Sequence, residues 1–257
     1  MSKKIDIIGI LFSDITRKGF EEKIESSLNK GEFISIFTPN PEIAVKAYGL
    51  TELSQTINSA SLVLPDGIGI VIASRILKTP IKERVTGIDT GEFILSLANK
   101  KKLKVYLLGG KKGVIENAAW NISKKYPCLK VCGYHHGYFD RSGKENEQLI
   151  RDINTSSPDI IFVCLGFPDQ ELWISKNCAN IPSLKISAAL GGSIDVWANN
   201  VKRAPKLWQK LGIEWLWRVI CSPSRIKRLK YIPIFLKLVI NQRSCNRKNN
   251  KKSSYIM

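Results

Sequence analysis

Carboxylates are scarce in this chain. Its 257 residues include 22 Asp+Glu against 40 Lys+Arg, a formal net charge of +18. Histidine is scarcer: His135 and His136 are the only two, and as neighbours they point in different directions, which favours a loop role over catalysis. There is no Asp-x-Asp pair and no cluster of His, Cys and carboxylates at ligand spacing, so no metal site is expected. Neither the spaced-glycine dinucleotide fingerprint nor a P-loop is present. Long apolar runs are missing too. The most apolar piece, "YIPIFLKLVI" at 231–240, has a lysine inside it and falls well short of the roughly 20 residues needed to cross a bilayer. At the N-terminus, "MSKKIDIIGI" offers a short apolar run that ends at Asp14 with no small-residue cleavage site, so no signal peptide is expected. The six cysteines are scattered, with Cys128 and Cys132 the one close pair. They read as reduced thiols of a cytosolic protein, not as a disulfide framework.

What is present is an alternation of apolar strands and amphipathic helices. Strands are expected at 4–10, 33–38, 61–65, 104–109, 129–134, 159–166 and 184–191. Helices are expected at 41–49, 51–59, 67–77, 89–100, 111–126, 144–155 and 168–180. Several of the strands are continuous apolar runs, the mark of strands covered on both faces. This order predicts βαβ units in an α/β, Rossmann-like, mostly parallel sheet flanked by helices. Near residue 196 the pattern changes. Residues 1–195 hold 25 Lys+Arg and 21 Asp+Glu, whereas residues 196–257 hold 15 and 1. Three segments follow: a core over 1–195, a basic, aromatic and mainly helical appendage over 196–240, and a basic tail over 241–257 expected to be disordered.

In parallel α/β sheets ligands bind beyond the carboxyl ends of the strands, where loops open and helix N-termini point. Five such ends carry small or polar residues: "TPNPE" with Thr38 and Asn40, "PDG" with Asp66, "GGKKG" with Gly109 and Gly110, "GFPDQE" with Gln170 and Glu171, and "GGSID" with Gly191 and Gly192. Each has a plainer reading. Pro-Asp-Gly is a common turn, Asn40 before Pro41 is a natural helix cap, and Arg84 in "RVTGID" can serve a salt bridge as readily as an anion. The appendage interleaves Trp208, Trp215, Trp217, Tyr231 and Phe235 with Arg203, Arg218, Arg225 and Arg228. Its aliphatic content favours an anionic lipid surface over nucleic acid. A nucleotide-dependent oxidoreductase on the same kind of core stays open as an alternative, as does, with less support, a nucleic-acid-binding protein.

Seven segments in order, "TPNPEIAVKA", "LVLPDGIGIVIAS", "RVTGID", "LLGG..GV.E.AA", "SSPDIIFVCLGFPDQELWI", "GGSIDVWAN..KRAP" and "LGIEWLWRVI..PSRIKR", resemble the TagA/WecG/CpsF family of bacterial glycosyltransferases, glycosyltransferase family 26, over about residues 5–230. The resemblance implies an inverting enzyme needing neither metal nor cofactor. It would move a hexose, typically N-acetylmannosamine, from a UDP-sugar to polyprenyl-diphosphate-linked N-acetylglucosamine in wall teichoic acid, common-antigen or capsule synthesis. It further implies a cytoplasmic protein, peripheral on the inner face of the plasma membrane, and leaves a homo-oligomer open; nucleic acid is not an expected partner. Residue by residue, Asp66 is similar to the family's general base and Thr38 and Asn40 to the polar pair beside it. Arg84 and Gln170 resemble residues lining the same pocket. Arg218, Arg225 and Arg228 match arginines whose implied task is to neutralise diphosphate, with Arg203 expected at the same diphosphate or membrane surface. Gly109, Gly110, Gly191 and Gly192 are expected to admit the nucleotide, with Glu171 beside them. The resemblance carried by these segments stops near residue 230, and the chain beyond it is not matched to the family pattern by them.

Overall fold

The computed structural model describes residues 3–253. A hairpin of β1 (Lys4–Ile7) and β2 (Ile10–Ser13) leads into α1 (Arg17–Lys30), then β3 (Ile34–Phe37), α2 (Pro41–Ala47), α3 (Thr51–Asn58), β4 (Leu62–Val63), α4 (Ile68–Ile76) and α5 (Gly87–Lys101). The second half runs β5 (Lys104–Gly109), α6 (Val114–Lys125), β6 (Lys130–His135), α7 (Lys144–Ser156), β7 (Ile160–Cys164), α8 (Asp169–Asn177), β8 (Ile186–Ala189) and α9 (Ser193–Trp197). Beyond it lie α10 (Lys206–Leu211), α11 (Glu214–Cys221), a 3-10 segment Pro223–Arg228 and α12 (Tyr231–Ser253).

β3 to β8 form one sheet in the order β4-β3-β8-β7-β5-β6, every neighbouring pair parallel. The α/β, Rossmann-like expectation therefore holds. The continuous apolar runs have a simple cause, since alternate residues of each strand supply two different cores. Phe37, Val63, Leu108, Ile161, Val163 and Ala189 face one layer, with the β1–β2 hairpin and residues from α2, α4, α7, α8 and α12. Ile36, Leu62, Leu107, Ile160, Phe162 and Ala188 face the other, with α1, α5, α6 and α9. A period of two with both phases buried leaves no polar face to show alternation.

Three expectations are corrected. The run 4–10 is not one strand. Ile8 and Gly9 take φ of 46° and 87°, Asp6 Oδ1 accepts from the Gly9 amide at 2.8 Å, and the chain folds back as β2. Helix α1 was not foreseen, because only Phe20, Ile24 and Ser27 of its fourteen residues are buried, although Thr16 caps its start and Gly31 its end. Finally, the tail from 241 is not disordered through its described part, since α12 continues to Ser253; residues 254–257 lie outside the described residues.

Helix α12 is also part of the core. Pro233 falls in its first turn, where a missing amide costs nothing. Phe235 and Val239 are buried beside α2 and α4, and Gln242 accepts from the Ile8 amide at 2.9 Å. Phe235→Ala should therefore cost about 3–5 kcal/mol of unfolding free energy, the range for a large buried aromatic. Ile234→Ala, on the exposed side at 41% exposure, should cost under about 0.5 kcal/mol. Chemical denaturation of the two variants checks the seating of α12; equal, small losses would contradict it.

Candidate functional site

The site gathers at the carboxyl ends of β3, β4 and β8, where Thr38, Asp66 and Gly191–Gly192 follow their strands. The turn carrying Asp66 is held on both sides, with the Asp66 amide donating to the Pro39 carbonyl at 3.4 Å and the Val85 amide to the Pro65 carbonyl at 3.2 Å. Thr38, buried, donates from Oγ1 to the Ala189 carbonyl at 3.1 Å and so ties the end of β3 to that of β8. Gly87, the first residue of α5, closes the group. A Cβ placed there would sit 3.0 Å from Thr38 Oγ1 and 3.8 Å from Asp66 Oδ2, so any larger residue would crowd both.

Electrostatics single out Asp66. Burial pushes its carboxyl from an ordinary 3.8 up to about 6; Arg218 and then Arg84 oppose the rise, Glu214 adds to it, and the Gly87 amide lowers it slightly. A carboxylate poised near neutrality, partly buried beside two cations, can take up a proton in one step and lose it in the next.

The appendage closes over this group. Arg84 donates from Nη2 to the Gln209 carbonyl at 2.7 Å and to Glu214 at 3.4 Å, which brings α10 and α11 to the Asp66 turn. Gly212, between those helices, has φ of 74°. A Cβ on it would meet Ile68 at 3.0 Å, so the turn lies flat on the start of α4. Arg218 and Arg225 then converge over the turn after β8, as a Cβ on Gly192 would be 3.7 Å from Arg218 Nη1 and 3.9 Å from Arg225 Nη2. Arg228 pairs with Glu42 at 3.5 Å. Burial, with the charges of Arg228 and Arg218, lowers the pKa of Arg225, while Asp195 and Glu42 raise it. Three guanidinium groups thus crowd together against two carboxylates, an arrangement suited to a group carrying several negative charges.

Other expected site residues have structural duties. Asn40 accepts the Ile43 amide at 3.0 Å as the cap of α2, the plainer of its two readings. Gln170 and Glu171 are buried, at 4% and 2% exposure; Gln170 Oε1 accepts the amides of Gly166 and Gly191, and its Nε2 donates to Glu171. Gly109 is needed by the sheet itself, because a Cβ there would strike the Cys164 carbonyl oxygen at 2.4 Å. Gly110 turns back toward Ile194, and beyond it Lys111, Lys112, His136 and Tyr138 line an open depression of about 570 Å³. Arg203 stands apart from the other appendage arginines, ion-paired to Asp89 in the first turn of α5. Of the aromatic residues expected at a lipid surface, Trp208 and Trp217 stack edge to face at 5.6 Å and Phe235 is in the core, whereas Trp215 is 40% exposed.

Glu214, Gly87, Asp195 and Glu42 were given no role from sequence. All four stand within or beside recognised segments ("LGIEWLW", "RVTGID", "GGSID", "TPNPE"), but only the tertiary fold brings them to the arginines and Asp66.

Residues 5–249 match the family model described as glycosyl transferase, WecG/TagA/CpsF family. The chain belongs to the WecG/TagA/CpsF glycosyltransferase family. It is accordingly an enzyme that transfers a glycosyl group. Among its relatives is the N-acetylglucosaminyldiphosphoundecaprenol N-acetyl-beta-D-mannosaminyltransferase of Bacillus subtilis (strain 168), 38% identical over 220 residues, which cover 86% of this chain and 82% of that protein. The protein of the same name from Staphylococcus aureus (strain NCTC 8325 / PS 47) is 37% identical over 235 residues, 91% of each chain. Among the described residues of this glycosyltransferase, no helix is long and apolar enough to cross a membrane.

Proposed function

We propose that this glycosyltransferase moves an N-acetylmannosaminyl residue from a UDP-linked donor to polyprenyl-diphosphate-linked N-acetylglucosamine, with inversion and without a metal ion, in the synthesis of a cell-surface polymer such as a teichoic acid. The observation that carries the reading is that Asp66, raised toward neutrality by burial, lies within the field of Arg218, whose guanidinium also reaches the turn after β8. The acceptor and the sugar class come from the names of the two relatives.

In the transfer, the acceptor hydroxyl oxygen forms a bond to the anomeric carbon as its proton passes to the Asp66 carboxylate. The bond from that carbon to the diphosphate oxygen breaks on the opposite face. UDP departs with an added negative charge, which Arg218 and Arg225 stabilise, with Arg228 behind them. Arginine suits this task because it stays charged when desolvated and binds phosphate oxygens in pairs. The Gly87 amide hydrogen-bonds to the base, Thr38 ties the strand ends beside it, and the Gly191–Gly192 turn lets the diphosphate lie close to the backbone.

A membrane-borne acceptor requires the site to face a lipid surface. Leu207, Leu211, Trp215, Ile220 and Ile226 are exposed on the appendage, among Lys206, Lys210 and Lys227. Exposed apolar side chains set among cations describe a surface that rests on anionic headgroups, on the same appendage that brings Arg218 over the Gly192 turn. That surface supports a position on the inner face of the plasma membrane.

The test is transfer from UDP-N-acetylmannosamine to a lipid-diphosphate-N-acetylglucosamine analogue, with excess chelator and with linkage analysis of the product. An inverted, chelator-insensitive product is expected. Loss of turnover on chelation would remove the metal-free mechanism, and preference for another UDP-hexose would remove the donor assignment.

A further inference from the structure

The Gln170–Glu171 pair lies behind the diphosphate turn and carries more buried polarity than packing needs. Gln170 Oε1 accepts two backbone amides, Gly166 at 3.2 Å and Gly191 at 3.0 Å. Those amides belong to the turns that follow β7 and β8, adjacent strands of the sheet. Both lone pairs of the oxygen are engaged, so the amide has one acceptable orientation; reversed, its NH2 would confront two N–H donors. Nε2 must then point away from the turns, and at 4% exposure it needs a protein acceptor. Glu171 Oε1 provides one at 2.9 Å.

Glu171 is an expensive way to provide it. The residue is 2% exposed and its Oε2 has no hydrogen-bond partner among the described residues. Burial pushes its carboxyl up to about 7, the Gln170 bond opposes this, and Asp169 adds to it. With or without its proton the carboxyl keeps an oxygen able to accept, so the bond to Nε2 persists through neutrality. An apolar residue would fill the space at lower cost but would leave Nε2 unsatisfied and the amide free to turn.

We propose that Gln170 and Glu171 are a positioning pair: the Gln170 amide clamps the glycine turns after β7 and β8 to each other, and Glu171 fixes the orientation of that amide. Through Gly191 the clamp sets the height of Gly192 beneath Arg218 and Arg225. The inference rests on the reading above, in which that turn floors the diphosphate. Neither side chain needs to touch the substrate. Gln170 was expected to line the pocket, and its oxygen is instead spent on the turns. A shift of the floor by about an ångström is enough to cost on the order of 100-fold in rate when geometry carries catalysis.

Glu171→Leu and Glu171→Gln, with wild type, form the test, read by turnover on UDP-N-acetylmannosamine and by amide hydrogen exchange at Gly166 and Gly191. Glu171→Leu should lower kcat about 10- to 100-fold with acceptor KM within about threefold, and both glycine amides should exchange at least tenfold faster. Glu171→Gln keeps a carbonyl acceptor and should recover most of the lost kcat. A purely structural role would change thermal stability without that split between kcat and KM. A folded Glu171→Leu with wild-type kcat would overturn the proposal, and so would unprotected Gly166 and Gly191 amides in the wild-type protein; the latter measurement decides the matter if Glu171→Leu fails to fold. An inactive wild type would count against the transferase reading alone, since the exchange data still test the clamp.

Discussion

Replacing Asp66 with asparagine should abolish most of the transfer activity, about 10³-fold in kcat and within the range of a lost general base, while making the folded protein more stable above pH 7. The first half follows from the chemistry, because an amide cannot accept the hydroxyl proton. The second follows from the environment. Burial holds the folded pKa of Asp66 at about 6, above its ordinary 3.8. Well below pH 3.8 the carboxyl is protonated in both folded and unfolded chains and costs nothing. As pH rises through 3.8 toward about 6, the unfolded chain releases its proton first, and the fold loses stability. Above about pH 7 the loss is complete, on the order of 3 kcal/mol at most and less to the extent that water reaches the side chain. Asparagine has no such penalty. Melting temperatures of wild type and Asp66→Asn should therefore agree near about pH 3 and separate above about pH 7, with the variant higher. Wild-type kcat/KM should rise through pH 6 as the base ionises. An active Asp66→Asn protein, or one less stable than wild type at pH 8, would remove Asp66 from the role of base.

The same residue shows where sequence reasoning reaches and where it ends. "SLVLPDG" placed Asp66 at a strand exit, and it does follow β4, although that strand is only Leu62–Val63. Its turn chemistry fitted a structural aspartate equally well. The deciding property, a carboxyl raised by burial and flanked by Arg218 and Arg84, depends on helices about 150 residues away in the chain closing over it. Strand positions were legible because two-sided burial writes an apolar run into the chain, as in "KVYLLG", which is β5 from end to end. Helix α1 was illegible for the opposite reason. A surface helix with three buried residues has little apolar pattern to read, and its capping Thr16 and Gly31 are the only local marks.

In the appendage the sequence showed composition but not allocation. It presented its arginines as one cationic set, and the fold divides them: Arg203 goes to Asp89, Arg228 to Glu42, and Arg218 and Arg225 to the turn at Gly192. The aromatic residues divide in the same way between internal contacts and the exposed face. "YIPIFLKLVI" reads as one apolar run, yet helical period places Phe235 and Val239 in the core and leaves Ile232, Ile234 and Ile240 outside. Period alone could have suggested that split; the partners on the buried side could not be read from the chain.

Because Arg218 and Arg225 are distinct in position, removing each should have a distinct signature. Arg218→Ala and Arg225→Ala should each lower kcat about 10²- to 10³-fold, the cost of losing one preorganised donor to a departing anion. Lysine should rescue either poorly, since a single ammonium cannot reproduce a paired contact to phosphate oxygens. Their pH profiles should differ. Arg218 is the largest charge holding the Asp66 pKa down, whereas Arg225 is not one of the leading influences on it. Arg218→Ala should thus move the acidic limb of kcat/KM to higher pH, and Arg225→Ala should leave the limb near 6. If both variants shift the limb equally, Arg225 reaches the base as well and the two arginines act as one group. If neither shifts it, the rate loss lies wholly with the leaving group, and the coupling between base and diphosphate through Arg218 is absent.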